Sequence, residues 1–159
     1  MSKKNEKPTL RNKPLTAKIP HANQVCPQKI PRFDLMERSK YPSWQFGLID
    51  LCGPQGCSWN AATIEEITQL FLKLKTFESL TWGEIINNFR KDHHYMPRNA
   101  ICNDAQKRLE EISQDDIDEL FSFHLGSAKR LWGIIDGHEF KILWWDPKHQ
   151  IYPMNIKDN

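Results

Sequence analysis

No apolar run in the 159 residues approaches the roughly 20 needed to cross a bilayer, so a membrane-spanning chain is excluded and no membrane partner is expected. The basic opening Met1-Ser-Lys-Lys-Asn-Glu-Lys-Pro8 has no apolar stretch behind it. That argues against a secretory signal and leads to a cytoplasmic expectation. Seven glycines and ten prolines are too few for a fibrous or wholly disordered chain. Also missing are a glycine-rich phosphate loop ending in Lys-Ser/Thr, a Gly-x-Ser-x-Gly elbow, a His-Glu-x-x-His helix and a dinucleotide fingerprint. The four cysteines (Cys26, Cys52, Cys57, Cys102) are expected to be reduced. Cys52 and Cys57 flank Gly-Pro-Gln-Gly, which is not a common zinc spacing, and the adjacent His93 and His94 are poorly placed to reach one metal together. Neither metal nor cofactor is expected.

Acidic charge is nearly absent from one region. Residues 1 to 32 hold eight Lys or Arg and the single acid Glu6, a local charge of +7 that leaves −5 for the rest of a chain whose total is +2. Five prolines (Pro8, Pro14, Pro20, Pro27, Pro31) interrupt the same stretch, a density that helices and central strands do not tolerate. The spacing predicts an extended arm and linker over 1–42 and a single domain over 43–159. A basic arm on an acidic body can neutralise phosphates, so Lys3, Lys4, Lys7, Arg11 and Lys13 are candidate nucleic-acid contacts; the alternative is a solubilising tail or a segment that folds on a protein partner.

The body reads as an ordered series. Trp44-Gln-Phe46-Gly-Leu48 alternates as a half-buried strand does. Thr63 and Glu66, then Thr81 and Glu84, form two capping boxes. The first opens a helix with Ile64, Ile67, Leu70, Phe71 and Leu74 at helical spacing. The second opens one carrying Trp82, Ile85, Ile86 and Phe89. Lys91 to Asn99 reads as a polar loop, and Asn103 as the cap of a shorter helix with Ala105, Leu109 and Ile112. The acidic cluster Asp115-Asp116-Ile117-Asp118-Glu119 suits the start of an element by the helix dipole alone. Phe121–Leu125, Arg130–Ile135 and Glu139–Trp145 predict a meander. Asp136-Gly137 is its type I′ turn, which pairs Ile134 with Glu139 and puts Arg130 near Leu143 and the Asp146–His149 turn. Trp144 and Trp145 should point to opposite faces, either one into the core and the other toward solvent or a partner, or both buried where helices or the arm cover both faces, the reading that the usual burial of Trp favours. The fold class expected is α+β, an antiparallel sheet in the order β-α-α-α-β-β-β with the helices on one face.

This order resembles that of the bacterial RelE/ParE toxin superfamily, and Phe121 to Gly137 looks like the second and third strands of those toxins. Arg130 matches the basic residue that opens the strand after their hairpin, and His149 with Tyr152 resembles the His or Tyr near their C-terminus. The tail Leu143-Trp-Trp-Asp-Pro-Lys-His-Gln-Ile-Tyr-Pro153 is also similar to the end of a group of small uncharacterised bacterial proteins. The toxin resemblance implies a metal-independent endoribonuclease that cleaves mRNA at the ribosome and is held inactive by an antitoxin. Two departures stand beside it: this body is net acidic, and His149 and Tyr152 are not adjacent.

Cleavage by attack of a 2′-hydroxyl needs a proton acceptor, a proton donor and cations facing the phosphorane. His149 suits either proton role, Arg130 and Lys129 can clamp phosphate, and Tyr152 can stack on or orient a base, with His124 or His138 on the same meander. The structural alternatives are an ion pair of Arg130 with Asp146 or Glu139, and a backbone-bonding turn role for His149. A different class also remains: a non-catalytic mobile-element or phage protein that binds a protein or nucleic acid through the sheet and the basic arm.

Overall fold

The computed structural model describes residues 37–153. Lys3, Lys4, Lys7, Arg11, Lys13 and most of the proposed arm lie outside the described residues. Residues 37–40 lie against the body: Glu37 N–H donates to the Gly137 carbonyl (3.2 Å), while Trp82 and Gly83 N–H donate to the carbonyls of Lys40 and Arg38 (2.9 and 2.8 Å).

Two helices begin where the capping boxes place them. Helix α1 is Ile64–Glu78 and α2 is Trp82–Asn88, each with its N-cap threonine and N3 glutamate bonded reciprocally. The strands are β1 (Ser43–Gln45), β2 (His93–Pro97), β3 (Glu119–His124), β4 (Arg130–Asp136) and β5 (Glu139–Asp146), with α3 (Asn103–Glu111) between β2 and β3. They form one sheet in the order β1-β5-β4-β3-β2. The class is therefore α+β as expected. The element order differs by one strand, because His93–Pro97, read as loop, pairs antiparallel with β3 at the sheet edge. The sheet is also mixed, since β1 runs parallel to β5. Among the described residues no helix is long and apolar enough to cross a membrane.

The helices do not share one face. Leu70, Leu74 and Phe77 of α1 and Trp82, Ile85 and Ile86 of α2 pack with Phe121, Phe123, Leu131, Ile135, Phe140 and Ile142. Ala105 and Leu109 of α3, with Ile101, pack instead with Leu120, Trp132, Ile134, Leu143 and Trp144. Both sheet faces are thus covered, and Trp144 and Trp145 are both buried, the favoured of the two expected arrangements. On α1 the buried stripe is Leu70, Leu74 and Phe77, whereas Ile64 and Phe71, expected on the apolar face, are 83% and 52% exposed.

Two local features correct the hairpin. Asp136 pairs with Glu139, so the turn residues are Gly137 and His138. Only Gly137 has positive φ (63°), which is the sign pattern of a type II′ turn rather than I′. Further along, Gly133 pairs with Ile142 while Trp132 pairs with Trp144, so Leu143 is an extra residue in β5. This bulge lets both Leu143 and Trp144 join the α3-side core. It also frees the Leu143 carbonyl, which accepts from Asp50 N–H (3.1 Å) and from the Trp59 indole (2.9 Å). Arg130 consequently faces Asp146, not Leu143.

Candidate active site

Strand register determines which side chains meet. His124, Arg130 and Asp146 stand opposite one another on β3, β4 and β5, and the next row inward is His94, Ser122, Trp132 and Trp144. Side chains two residues apart on a strand share a face, so both rows lie on the side that carries Trp132 and Trp144 under α3. The inner row grades into the core. The outer row is polar.

Asp146 is fully buried and organises the segment after β5. One carboxylate oxygen accepts from the N–H groups of Lys148 (3.3 Å) and Gln150 (2.9 Å), and the other from Ile151 N–H (3.0 Å) and the Trp132 indole (3.3 Å). The buried Cys57 thiol also bonds to it, and burial first, then the Asp146 charge, pushes that thiol up, so it stays protonated. Wrapped around one carboxylate, the chain puts His149 in the left-handed region (φ 58°) and sets its ring edge-to-face with Tyr152 at 6.4 Å. Tyr152 in turn packs on the α3-side core.

With Asp146 so engaged, Arg130 is left a cation without a carboxylate partner among the described residues. Its Nη1 donates to the carbonyls of Ser127 (3.1 Å) and Lys129 (3.0 Å), and its buried Nε has no hydrogen-bond partner. The ion pair with Asp146 is replaced by a longer-range attraction, and Glu139 sits at the opposite end of the hairpin. Burial lowers the Arg130 pKa, and Asp146 partly offsets this.

Three imidazoles lie within electrostatic reach of this guanidinium. Burial depresses His149 first, then the Arg130 cation, with Asp146 opposing and His124 and His94 adding to the depression. His94 is likewise depressed, first by partial desolvation of its ring beside the sheet, then by Arg130 and His124. His124 places Nε2 2.7 Å from the Ser127 carbonyl, so Nε2 carries a proton and donates it there. An arginine beside imidazoles, two of them with lowered proton affinity, is suited to receiving an anion and moving protons beside it.

No family model, curated protein or solved structure matches the chain.

Of the residues singled out by sequence, Arg130, His149 and Tyr152 therefore come to one end of the sheet. Lys129 instead pairs with Glu66 of α1 at 3.0 Å. His138 lies at the far hairpin turn, 3.8 Å from Glu37. His94 was missed because its segment was read as loop. The signal was the alternation itself: His93 and Tyr95 go to one face, where both contact Phe121, and His94 and Met96 go to the other. Two surface depressions, one around Gln45, Gln114 and Lys141 and the other around Arg98, Gln106 and Asp115, lie away from this cluster.

Proposed function

We propose that the chain is a RelE-like toxin, a metal-independent endoribonuclease that cleaves mRNA at the ribosome and is restrained by an antitoxin. The observation that carries this reading is the half-buried Arg130, bonded to two backbone carbonyls, in register with His124 and within electrostatic reach of His94 and His149. Arg130 binds the scissile phosphate and stabilises the phosphorane, and His149 transfers a proton. Tyr152 stacks on a neighbouring base or orients it. The basic segment bearing Lys3, Lys4, Lys7, Arg11 and Lys13 adds affinity for the phosphate backbone, steeply dependent on salt.

Expression in bacteria tests the reading. The full chain should arrest growth and fragment mRNA, and the double variant Arg130→Ala, His149→Ala should do neither while accumulating to the same level. A wild-type chain that neither arrests growth nor cuts mRNA sinks the enzyme and leaves the non-catalytic binding protein.

A further inference from the structure

Strand β2 delivers one imidazole to each side of the sheet. His93 turns toward α2, buried, with its ring stacked on Phe121 and Nε2 donating to the Ile86 carbonyl at 3.2 Å. His94 turns to the side of Arg130, in register with Ser122 and diagonal to His124, and it is exposed. Across the sheet the order is β2, β3, β4, β5, so Arg130 on β4 lies between His94 on one flank and the post-β5 turn bearing His149 on the other. His124, the imidazole between them, has its Nε2 proton committed to Ser127.

We propose that His94 is the general acid of the reaction, facing His149 across a phosphodiester seated on Arg130. This rests on the endoribonuclease reading. His149, held in its turn by the Asp146 bonds, takes the proton of the 2′-hydroxyl as the O2′–P bond forms. The P–O5′ bond breaks, and protonated His94 gives its proton to the departing 5′-oxygen. The products are a 2′,3′-cyclic phosphate and a 5′-hydroxyl, and the two imidazoles return to their starting states by exchange with solvent. Neither water nor any co-reactant is consumed. The groups facing His149 are Arg130, Asp146, His124 and His94, and those facing His94 are Arg130 and His124.

The leaving group supplies the test. An RNA is made with a single sulfur in place of the bridging 5′-oxygen at the position the wild-type chain cuts, since a thiolate departs without protonation. In the full chain, His94→Gln and His94→Asn should each slow cleavage of the all-oxygen RNA by about 10²-fold or more, the usual weight of general acid catalysis. Both should leave the sulfur RNA within about threefold of wild type, whereas His149→Ala slows both substrates. Equal losses on the two RNAs, or no loss on either, overturn the acid role of His94 and leave the endoribonuclease standing. A wild-type chain that cuts neither RNA on ribosomes overturns both.

Discussion

Two arginines lie near buried carboxylates on the α3 side of the sheet, and they are used in opposite ways. Arg108 of α3 grips Asp50 through Nε and Nη2 at 2.7 and 2.8 Å and Glu111 through Nη1 at 2.7 Å. Asp50 also accepts from the Trp144 indole at 2.9 Å, and Arg108 holds its carboxyl down to about 2. Trp132, cross-strand partner of Trp144, gives its indole proton to Asp146 instead. Asp146 is then filled by backbone amides, and Arg130 is left without a counter-ion among the described residues. One arginine is spent on holding the fold. The other is kept available by satisfying its nearest carboxylate with neutral donors.

On the proposed endoribonuclease reading, the largest expected effect that tests this contrast is catalytic. Arg130→Ala should lower RNA cleavage by about 10²–10³-fold, the cost of removing one preorganised charge-stabilising donor. Its midpoint in urea should stay close to wild type, because no ion pair is lost. Arg108→Ala should behave in the reverse manner and destabilise by roughly 3 kcal/mol, since it strands a buried carboxylate, while the surviving folded protein cleaves normally. Parallel urea melts and cleavage assays on the two variants measure both halves. If Arg130→Ala unfolds as readily as Arg108→Ala, the distinction collapses.

Asp146→Asn sharpens the same point. The amide keeps the shape but turns one acceptor into a donor facing N–H groups, which should cost about 2 kcal/mol and release the turn that positions His149. Stability and cleavage should fall together, as urea melts and RNA assays on one preparation will record.

Smaller effects follow from pH. The folded Asp50 carboxyl titrates at about 2, below its unfolded value near 3.9, so the pair stabilises fully above about pH 4 and is lost as pH falls toward 2. Buried His93 is depressed mainly by desolvation, so the unfolded chain takes up a proton first and stability declines as pH drops below about 6.5. Arg108→Ala should abolish the lower step and leave the upper one, as a pH series of urea midpoints will show. Smallest of all, Thr63→Ala should cost about 1 kcal/mol through loss of one N-cap.

What could be read from sequence was what is local. Thr63/Glu66 and Thr81/Glu84 specify helix starts within four residues, and the positive φ of Gly137 follows from its place in a two-residue turn. The register of β4 and β5 was not legible, because Ile142-Leu-Trp-Trp145 is apolar throughout and hides an inserted residue from any test of alternation. The short edge strand β2 does alternate, but its charged flank and terminal proline make five polar-rich residues look like loop. Its loss also concealed which face α3 would cover and that His94 would reach Arg130. Arg130, His149 and Tyr152 were singled out by resemblance, and they share one end of the sheet because the hairpin sets Arg130 opposite Asp146 and the turn that Asp146 organises carries the other two.

The parallel pairing of β1 with β5 joins Ser43–Gln45 to Glu139–Lys141, segments separated by most of the described chain. Closing so large a loop is entropically slow, whereas the β3–β4–β5 meander forms from neighbours in sequence. The meander, with Arg130 opposite Asp146, should therefore assemble early, and the crossover carrying Asp50 and Trp59 should dock afterwards, onto the Leu143 carbonyl that the bulge leaves free. In native-state hydrogen exchange, the amides of β1 and Asp50 should open before those at the centre of β4, so the strand that carries Arg130 outlasts the segment that locks the sheet edge.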